Sequence, residues 1–310
     1  MNFEYIKTFY TLANCKNFSE TAKALYLSQP SITSQIKSLE QYLGIKLFTR
    51  THHSVDLTLA GEILYPYAEN IINMTTKAEN ELSELSDTLL GKLLIASSLT
   101  IGESVLPSYL NTFKTHYPNV KLETVITNSK HVIEMIQRNE IEIGLIEAEF
   151  DDPSFITHSF MEDELVLFGN KKDCELLNKP IDLKEIRRLP LILREQGSGT
   201  RSVAEKYLKH HQVDPKKLNI ILELDSTESI KSAVEAHLGF SILSKSAIRK
   251  ELSFGLFENI LIKNSKFTRT FKIVYKKNKE LSLISQKFLE LILSFSDEKR
   301  LQDENTNNTT

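Results

Sequence analysis

Apolar residues recur every three or four positions over the first ninety residues and in shorter alternating runs afterwards, and this change of rhythm divides the chain. Residues 2–15 place Phe3, Ile6, Phe9, Tyr10 and Ala13 on one face of a helix. Residues 18–40 read as two short helices around a tight turn. Ser19 suits the N-cap of the first, Ser28 caps the second, and Pro30 lies in its first turn, where a missing N–H costs little. Ile32, Ile36, Leu39 and Leu43 share one face of that second helix, and Gly44 ends it in the left-handed conformation that glycine tolerates. Residues 47–50 and 55–58 read as two short strands. Residues 58–89 then form one long helix with Ala60, Leu64, Tyr67, Ile71, Met74, Ala78, Leu82, Leu85 and Leu89 along a heptad seam with one irregularity. Pro66 removes one backbone hydrogen bond and predicts a bend near Glu62.

Gly91 breaks the helix. Strands are predicted at 92–97, 121–126 and 141–146, with helices at 101–116 and 129–138 between them. Extended segments at 155–160 and 164–169 follow Pro153. Next come helix 182–188, strand 190–193, helix 200–211, strand 218–224, helix 227–237 and strand 240–243. Such alternation predicts parallel sheets covered by helices, and two runs of it predict two lobes. Strand 267–275 and helix 281–295 return to the first lobe, and the polar, acidic end of the chain reads as disordered.

The second short helix carries the most telling chemistry. Once its apolar face is buried, Gln29, Ser31, Thr33, Ser34 and Lys37 point outward: short polar groups, one cation and no acid. Short donors and acceptors at a helix N-terminus suit the floor of the DNA major groove. The alternative is an ordinary exposed helix face.

Ala22 and Leu25, the run Ser28-Gln29-Pro30-Ser31-Ile32-Thr33, Gln35-Ile36, Leu39-Glu40, Leu43-Gly44, Leu47-Phe48-Thr49-Arg50 and Leu57-Thr58-Leu59-Ala60-Gly61 stand in fixed order and spacing. In these residues the chain resembles the LysR family of bacterial transcriptional regulators, and the likeness extends over almost its whole length. The resemblance implies an α/β protein with an N-terminal winged helix-turn-helix, a long linker helix that dimerises, and a bilobed effector domain like that of periplasmic solute-binding proteins. It divides the chain into a DNA-binding domain at 1–58, a dimerisation helix at 59–90, a first lobe at 91–161 and 267–296, a second lobe at 162–266 and a disordered tail at 297–310. Ser28, Gln29, Pro30, Ser31, Thr33, Ser34 and Lys37, with Arg50 on a phosphate, become the expected DNA contacts. Leu64, Tyr67, Ile71, Met74, Ala78, Leu82 and Leu85 become the dimer seam; packing of that stripe within one monomer is the alternative. The wing departs from the family pattern, which holds more arginine where this chain has His52, His53, Ser54 and Asp56. His52 and His53 also read simply as exposed turn residues.

Composition narrows the classes. A length of 310 residues allows two or three domains, and 41% hydrophobic with 25% charged residues is ordinary for a globular protein. No run approaches a membrane span and the N-terminus lacks a signal pattern, so a cytoplasmic protein with no membrane partner is expected. Cys15 and Cys174 have no metal spacing and read as free thiols. The net charge of −3 hides an asymmetry. Residues 1–57 carry six Lys/Arg against four acids, residues 58–90 carry one against six, and the remainder balances at 31 against 31. The weakly positive end is the proposed DNA end, and two copies would add their phosphate contacts.

Ligands of doubly wound sheets bind beyond the carboxyl ends of strands, beside helix N-termini. Ser98 and Thr100 follow the first strand, Asn128 and Ser129 the second. Gly197, Ser198, Thr200 and Arg201 join a strand to a helix in the second lobe, and Thr227 lies at another such junction. The glycines let backbone N–H groups turn inward, and the helix dipole with Arg201 favours an anion. Each Ser or Thr alone also reads as a plain N-cap, and Arg201 as a surface or lobe-to-lobe ion pair. The resemblance makes these loops face one cleft. The stretches 191–201, 228–234 and 239–244 look like the subgroup that includes regulators of sulfur assimilation and carbon fixation, which suggests a small anionic metabolite as effector and no cofactor.

The expected partners are double-stranded operator DNA, further copies of the chain in a homodimer or homotetramer, and RNA polymerase. An enzyme is not expected: Gly197-Ser198-Gly199 lacks the nucleophile-elbow pattern, and neither a paired-His zinc motif nor a phosphate loop with its Lys is present. A solute-binding protein without a gene-regulatory role is the rival reading for residues 91–296.

Overall fold

The computed structural model describes residues 1–50, 55–85, 89–177 and 179–307 and, within them, every side chain except those of 50, 84 and 296–307. The head consists of helices α1 (Phe3–Cys15), α2 (Phe18–Ala24) and α3 (Gln29–Leu43), then strands β1 (Phe48–Arg50) and β2 (Val55–Leu57), which pair antiparallel as a wing. Ile6, Phe9, Leu12, Ile32, Ile36 and Leu39 close its core. Leu43, which the spacing puts on the same face, is exposed at the last turn of α3, as is Phe3 at the start of α1. The cap of α2 is Asn17 rather than Ser19: its carboxamide oxygen accepts from the amides of Ser19 at 2.8 Å and Glu20 at 3.1 Å. The amide of Ser19 is thus one of the orphan donors, not their partner. Ser28 caps α3 as expected, and Gly44 closes it at φ 68°. Glu40 is 7% exposed and ties the end of α3 to the chain that follows, accepting from the Leu47 amide at 3.0 Å and from Lys46 Nζ at 2.6 Å. His52, His53 and Ser54 lie outside the described residues.

Helix α4 (Leu59–Glu84) is capped by Thr58, whose hydroxyl accepts from the Gly61 amide at 3.1 Å. A Cβ on Gly61 would lie 2.3 Å from the Leu47 carbonyl oxygen, which accounts for glycine at this position. The helix ends short of the expected Leu89, with Leu85 as C-cap, and 86–88 lie outside the described residues. Pro66 stands inside it. The heptad stripe is divided between two partners. Ala60, Leu64 and Ile71 pack with Ala68 against the head, whereas Tyr67, Met74, Leu82 and Leu85 are 64–84% exposed and Ala78 is also exposed. Leu59 and Ile63 join the exposed side.

The rest of the chain builds a mixed nine-stranded sheet in the order β4-β3-β5-β11-β6-β9-β7-β8, with β10 beside β6. The first parallel unit contains β3 (Gly91–Ser98), β4 (Val120–Thr127) and β5 (Ile143–Ile146), covered by α5 (Leu99–Ser104), α6 (Leu106–His116) and α7 (Ser129–Gln137). The predicted helix 101–116 is therefore two helices, broken at Val105, where Pro107 opens the second with a residue that has no N–H to donate. The two extended segments after Pro153 are one strand, β6 (Phe155–Asn170), followed by α8 (Lys171–Cys174).

The second unit contains β7 (Leu191–Arg194), β8 (Ile220–Leu224) and β9 (Phe240–Ser244), with α9 (Gly199–His210), α10 (Thr227–Glu235) and α11 (Arg249–Ser253). Residues Leu183–Arg188 form a 3-10 turn, not an α-helix. After β10 (Phe257–Asn259), β11 (Phe267–Lys276) runs antiparallel to both β5 and β6 and returns the chain to the first unit. Helix α12 (Leu283–Asn307) then sends Phe288 and Ile292 into the first lobe's core beside Phe113 and Phe271. Its backbone continues as helix through 297–307, where a disordered tail was expected; no Gly or Pro interrupts the run there. Residues 308–310 lie outside the described set.

Burial explains the strand order. β5, β7 and β9 are buried at every residue and occupy the interior, while β4 and β8 alternate and form the edges. Among the described residues no helix is long and apolar enough to cross a membrane.

The linker helix is fastened to the first lobe. Asn73 Nδ2 donates to the Asn278 carbonyl at 2.7 Å while its Oδ1 accepts from the Glu280 amide at 3.1 Å. Asn80 repeats the arrangement with the Leu281 carbonyl at 2.8 Å and the Leu283 amide at 2.7 Å. Lys276 Nζ, from the end of β11, donates to the Gln137 carbonyl at 2.8 Å and lies 3.4 Å from Asn14 Oδ1 of α1.

Candidate functional site

Two regions gather the predicted residues. On the head, Ser28, Gln29, Pro30, Ser34 and Lys37 are exposed along α3, and Ser31 and Thr33 are half-buried beside them. Ser28 Oγ accepts from the Ser31 amide at 3.2 Å and also meets the Ser31 hydroxyl, so those two side chains are partly spent on capping. Gln29 Oε1 accepts from Ser19 at 3.3 Å. Lys37 makes no ion pair among the described residues, and the side chain of Arg50 is not described. A helix face of small polar groups over a sealed apolar back can enter a groove without first breaking strong internal contacts.

The second region lies where the two parallel units face each other. Ser98, Thr100, Ser129, Ser198, Thr200, Arg201 and Thr227 are all nearly inaccessible. Asn128 caps α7 through the His131 amide at 3.0 Å and reaches Glu195 of the other lobe at 3.3 Å. Ser198 caps α9. Gly197, at φ +92°, turns the loop past Asn128 and Lys130. Gly199 stands so close to the first lobe that a Cβ would lie 2.5 Å from Glu147 Cγ and 2.7 Å from Ser129 Oγ. A cavity of about 1220 Å³ opens along this flank, lined by Ser129, Lys130, Gly197, Ser198, Arg201 and Lys206 among others.

Arg201 does not offer a free charge. Its guanidinium pairs with Glu205 at 2.7 Å and Glu223 at 2.8 Å and donates to the Arg194 carbonyl at 3.0 Å. Sequence reasoning missed the cations that lie deeper. Arg269 on β11 holds Asp163 at 2.7 Å and Glu147 at 3.0 Å, and donates to the hydroxyls of Thr200 at 3.0 Å and Thr100 at 3.4 Å. Thr200 in turn donates to Glu147 at 3.3 Å, and Ser244 donates to Asp163 at 2.6 Å. Arg194, at the end of β7, is fully buried; it pairs with Glu195 at 2.8 Å, yet its Nη1 has no hydrogen-bond partner. The hydroxyls of Ser97 and Ser98 are equally unpartnered and buried. Across the cleft Glu103 of α5 faces Thr227 and Arg194. Burial raises its carboxyl above the ordinary range, against the pull of Thr227 and Arg194.

The cleft therefore has two ends. At one, Arg269 satisfies itself within the chain. At the other, buried donors wait unpaired. Arg269 had a visible signal: in Phe267-Thr268-Arg269-Thr270-Phe271-Lys272-Ile273 it falls on the apolar face of an alternating strand, where a charge needs a buried partner. The thiols stand apart from both ends; burial pushes Cys174 up to about 11 and raises Cys15.

Comparison with known proteins agrees with this architecture. Residues 3–62 match the bacterial regulatory helix-turn-helix protein, lysR family, and residues 86–296 match the LysR substrate binding domain. A probable RuBisCO transcriptional regulator of Phaeodactylum tricornutum is 31% identical over 274 residues, covering 87% of this chain and 89% of that protein. The HTH-type transcriptional regulator CysL of Bacillus subtilis is 30% identical over 287 residues, covering 91% and 95%. Among solved structures, the Synechocystis CcmR regulatory domain in complex with 2-PG superposes with a TM-score of 0.60 at 26% identity, over 66% of this chain and 97% of that one.

Proposed function

The chain belongs to the LysR family of bacterial transcriptional regulators, and from that premise we propose that it reads its operator with the first turns of α3 and senses a small anion held between its lobes. It binds DNA in a sequence-specific manner and couples that binding to an effector, as regulators of this family do. In our reading Gln29, Thr33 and Ser34 meet base edges, Lys37 and Arg50 meet phosphates, and Ser28, Pro30 and Ser31 set the start of the helix. Copies pair along the exposed stripe of α4 into a dimer, or into a tetramer through further effector-domain contacts. The protein acts in the cytoplasm as a regulator rather than an enzyme, and contact with RNA polymerase belongs to the same proposal.

The observation that carries the effector reading is the set of buried donors without partners at one end of the cleft, Ser98 Oγ and Arg194 Nη1 foremost. Leaving such groups unpaired costs about 1–3 kcal/mol each, more for a charged one. A ligand that accepts from both relieves that cost, and an acceptor of negative charge relieves it best beside a guanidinium. Ser98 belongs to the first lobe, Arg194 and Thr227 to the second, so the ligand favours one closure of the lobes over others. Ser129, Gly197 and Ser198 line the flank by which it enters, and Asn128, bonded to Glu195, stands beside them. That a domain of this fold, at 26% identity, was solved in complex with 2-PG supports a small-molecule effector.

Calorimetry on the full chain with sulfate, phosphate and small carboxylates tests the site. Binding is expected in the wild type and is expected to weaken about tenfold or more in Arg194→Gln and in Ser98→Ala. Normal binding in both variants, or a preference for neutral or cationic ligands, overturns the assignment.

A further inference from the structure

We infer that Glu147 is a tethered rival of the effector: its carboxylate fills the anion-receiving point beside Arg269 at the interlobe contact, and an anion that reaches Arg269 must dislodge it. This rests on the proposal that the effector is an anion.

The geometry at Glu147 is that of a bound anion. The residue follows directly on β5 in the first lobe and is 2% exposed. One carboxylate oxygen pairs with Arg269 Nη2 at 3.0 Å by charge alone, with no hydrogen-bond partner, and the other accepts from Thr200 Oγ1 at 3.3 Å. Thr200 is the second residue of α9 in the opposite lobe, so the carboxylate stands at the positive end of a twelve-residue helix. Gly199 has no side chain to fend it off: a Cβ there would lie 2.5 Å from Glu147 Cγ. The first residue of α7 closes the other side, its Ser129 hydroxyl accepting from the Glu147 amide at 3.4 Å. A guanidinium, a hydroxyl and the start of α9 thus converge on a carboxylate that the chain itself supplies.

Charge at this point is already in excess. Arg269 is shared by two buried acids, Glu147 and Asp163, and Asp163 has the closer contact at 2.7 Å together with the Ser244 hydroxyl at 2.6 Å. Glu147 is therefore the acid that can leave, because Arg269 and Asp163 remain a balanced pair without it. An incoming anion meets Glu147 as a like charge in a poorly solvated space, and the two cannot share Arg269 at low cost. As long as Glu147 stays, it ties the lobes together through Thr200. When an anion displaces it, that tie is handed to the ligand.

The test compares sulfate and phosphate binding to the full-length wild type, Glu147→Gln, Glu147→Ala, Glu162→Gln and Arg194→Gln by calorimetry, with thermal unfolding to confirm folding. Glu147→Gln keeps shape and a hydrogen-bonding group while leaving one cation against one acid, so it is expected to fold; Glu147→Ala provides a second version. Both should bind the anion about tenfold or more tightly than wild type. Glu162, an exposed acid that lines the same cavity as Glu147 and Arg269, controls for the general field of a nearby carboxylate, and Glu162→Gln should leave the affinity close to that of wild type. Unchanged or weaker binding in both Glu147 variants overturns the inference, as does an equal gain in Glu162→Gln. If Arg194→Gln loses binding while the Glu147 variants gain none, the anion site stands and the rivalry falls. If the Glu147 variants gain binding that Arg194→Gln does not weaken, the rivalry stands and the site moves to Arg269. Absence of binding in every form overturns both.

Discussion

Ile32 and Ile36 are sealed in the head at 0% exposure, and the residues between and around them decide what α3 can read. Gln29 and Ser34 are exposed on the surface, Gln29 accepting from Ser19 at 3.3 Å, and Thr33 is half-buried, with the helix N-terminus capped by Ser28. Truncation of Gln29, Thr33 or Ser34 to alanine is expected to cost about 1–3 kcal/mol of discrimination between operator and random DNA for each true base contact. Lys37→Ala is expected to weaken all sequences alike and to reduce the slope of binding against salt by about one ion. Titrations at several salt concentrations check both, and equal affinity in all four variants would move the readout off this helix. This face was legible in the sequence because a 3.6-residue period separates inside from outside without any knowledge of the partner. The cleft was less so. Thr100 and Thr200 were found from their place after strands, but the groups they bond were not, because Arg269 lies 169 residues from the first and 69 from the second. Arg201 misled for the same reason. Its charge is plain in the sequence, while Glu223, which takes part of it, comes from another strand.

Helix α4 shows what periodicity does not resolve. A stripe from Leu64 to Leu85 cannot say which of two neighbours each position faces. Leu64 and Ile71 turned out to serve the head, and Ile63, four residues before Tyr67, joined the exposed side at 60%. The strands were easier, since uniform burial in β5, β7 and β9 against alternation in β4 and β8 follows directly from apolar runs against mixed ones. The break at Val105 had its signal in Pro107, which the single helix predicted at 101–116 overlooked. For the exposed part of α4, replacing Leu82 and Leu85 together by Asp places two charges in the proposed seam, at a cost of several kcal/mol if they are buried there without partners. Sedimentation should reveal a smaller species with weaker operator binding. A variant of unchanged mass and affinity would place the dimer contact elsewhere.

At the scale of the whole molecule, the head and the first lobe meet around Lys276. Burial, then the neighbouring Lys279, brings its amine from 10.5 down to about 8. The docked arrangement prefers the neutral amine, and an undocked one regains the ordinary value. Undocked protein therefore binds more protons between about pH 8 and 10.5, so docking carries its full penalty below pH 8 and strengthens as pH rises through that window. Amide exchange at residues 14–15 and 137–138, corrected for intrinsic rates, should slow relative to the rest of the chain between pH 8 and 10. Lys276→Met should reduce that dependence, the rest falling to Lys279, which burial also lowers, and an identical profile in the variant would rule Lys276 out as its source. The two asparagines of the linker have a mechanical consequence. Asn73 and Asn80 grip the segment 278–283 two helical turns apart, which resists both sliding and swivelling of α4 on the lobe. The helix is then a lever whose short arm is bolted to the effector domain. From Asn80 to Leu59 it reaches about 30 Å, so a tilt of roughly 6° swings the head by about 3 Å, close to the ~3.4 Å step from one base to the next. A small turn of the first lobe is enough to shift the recognition helix by one base pair.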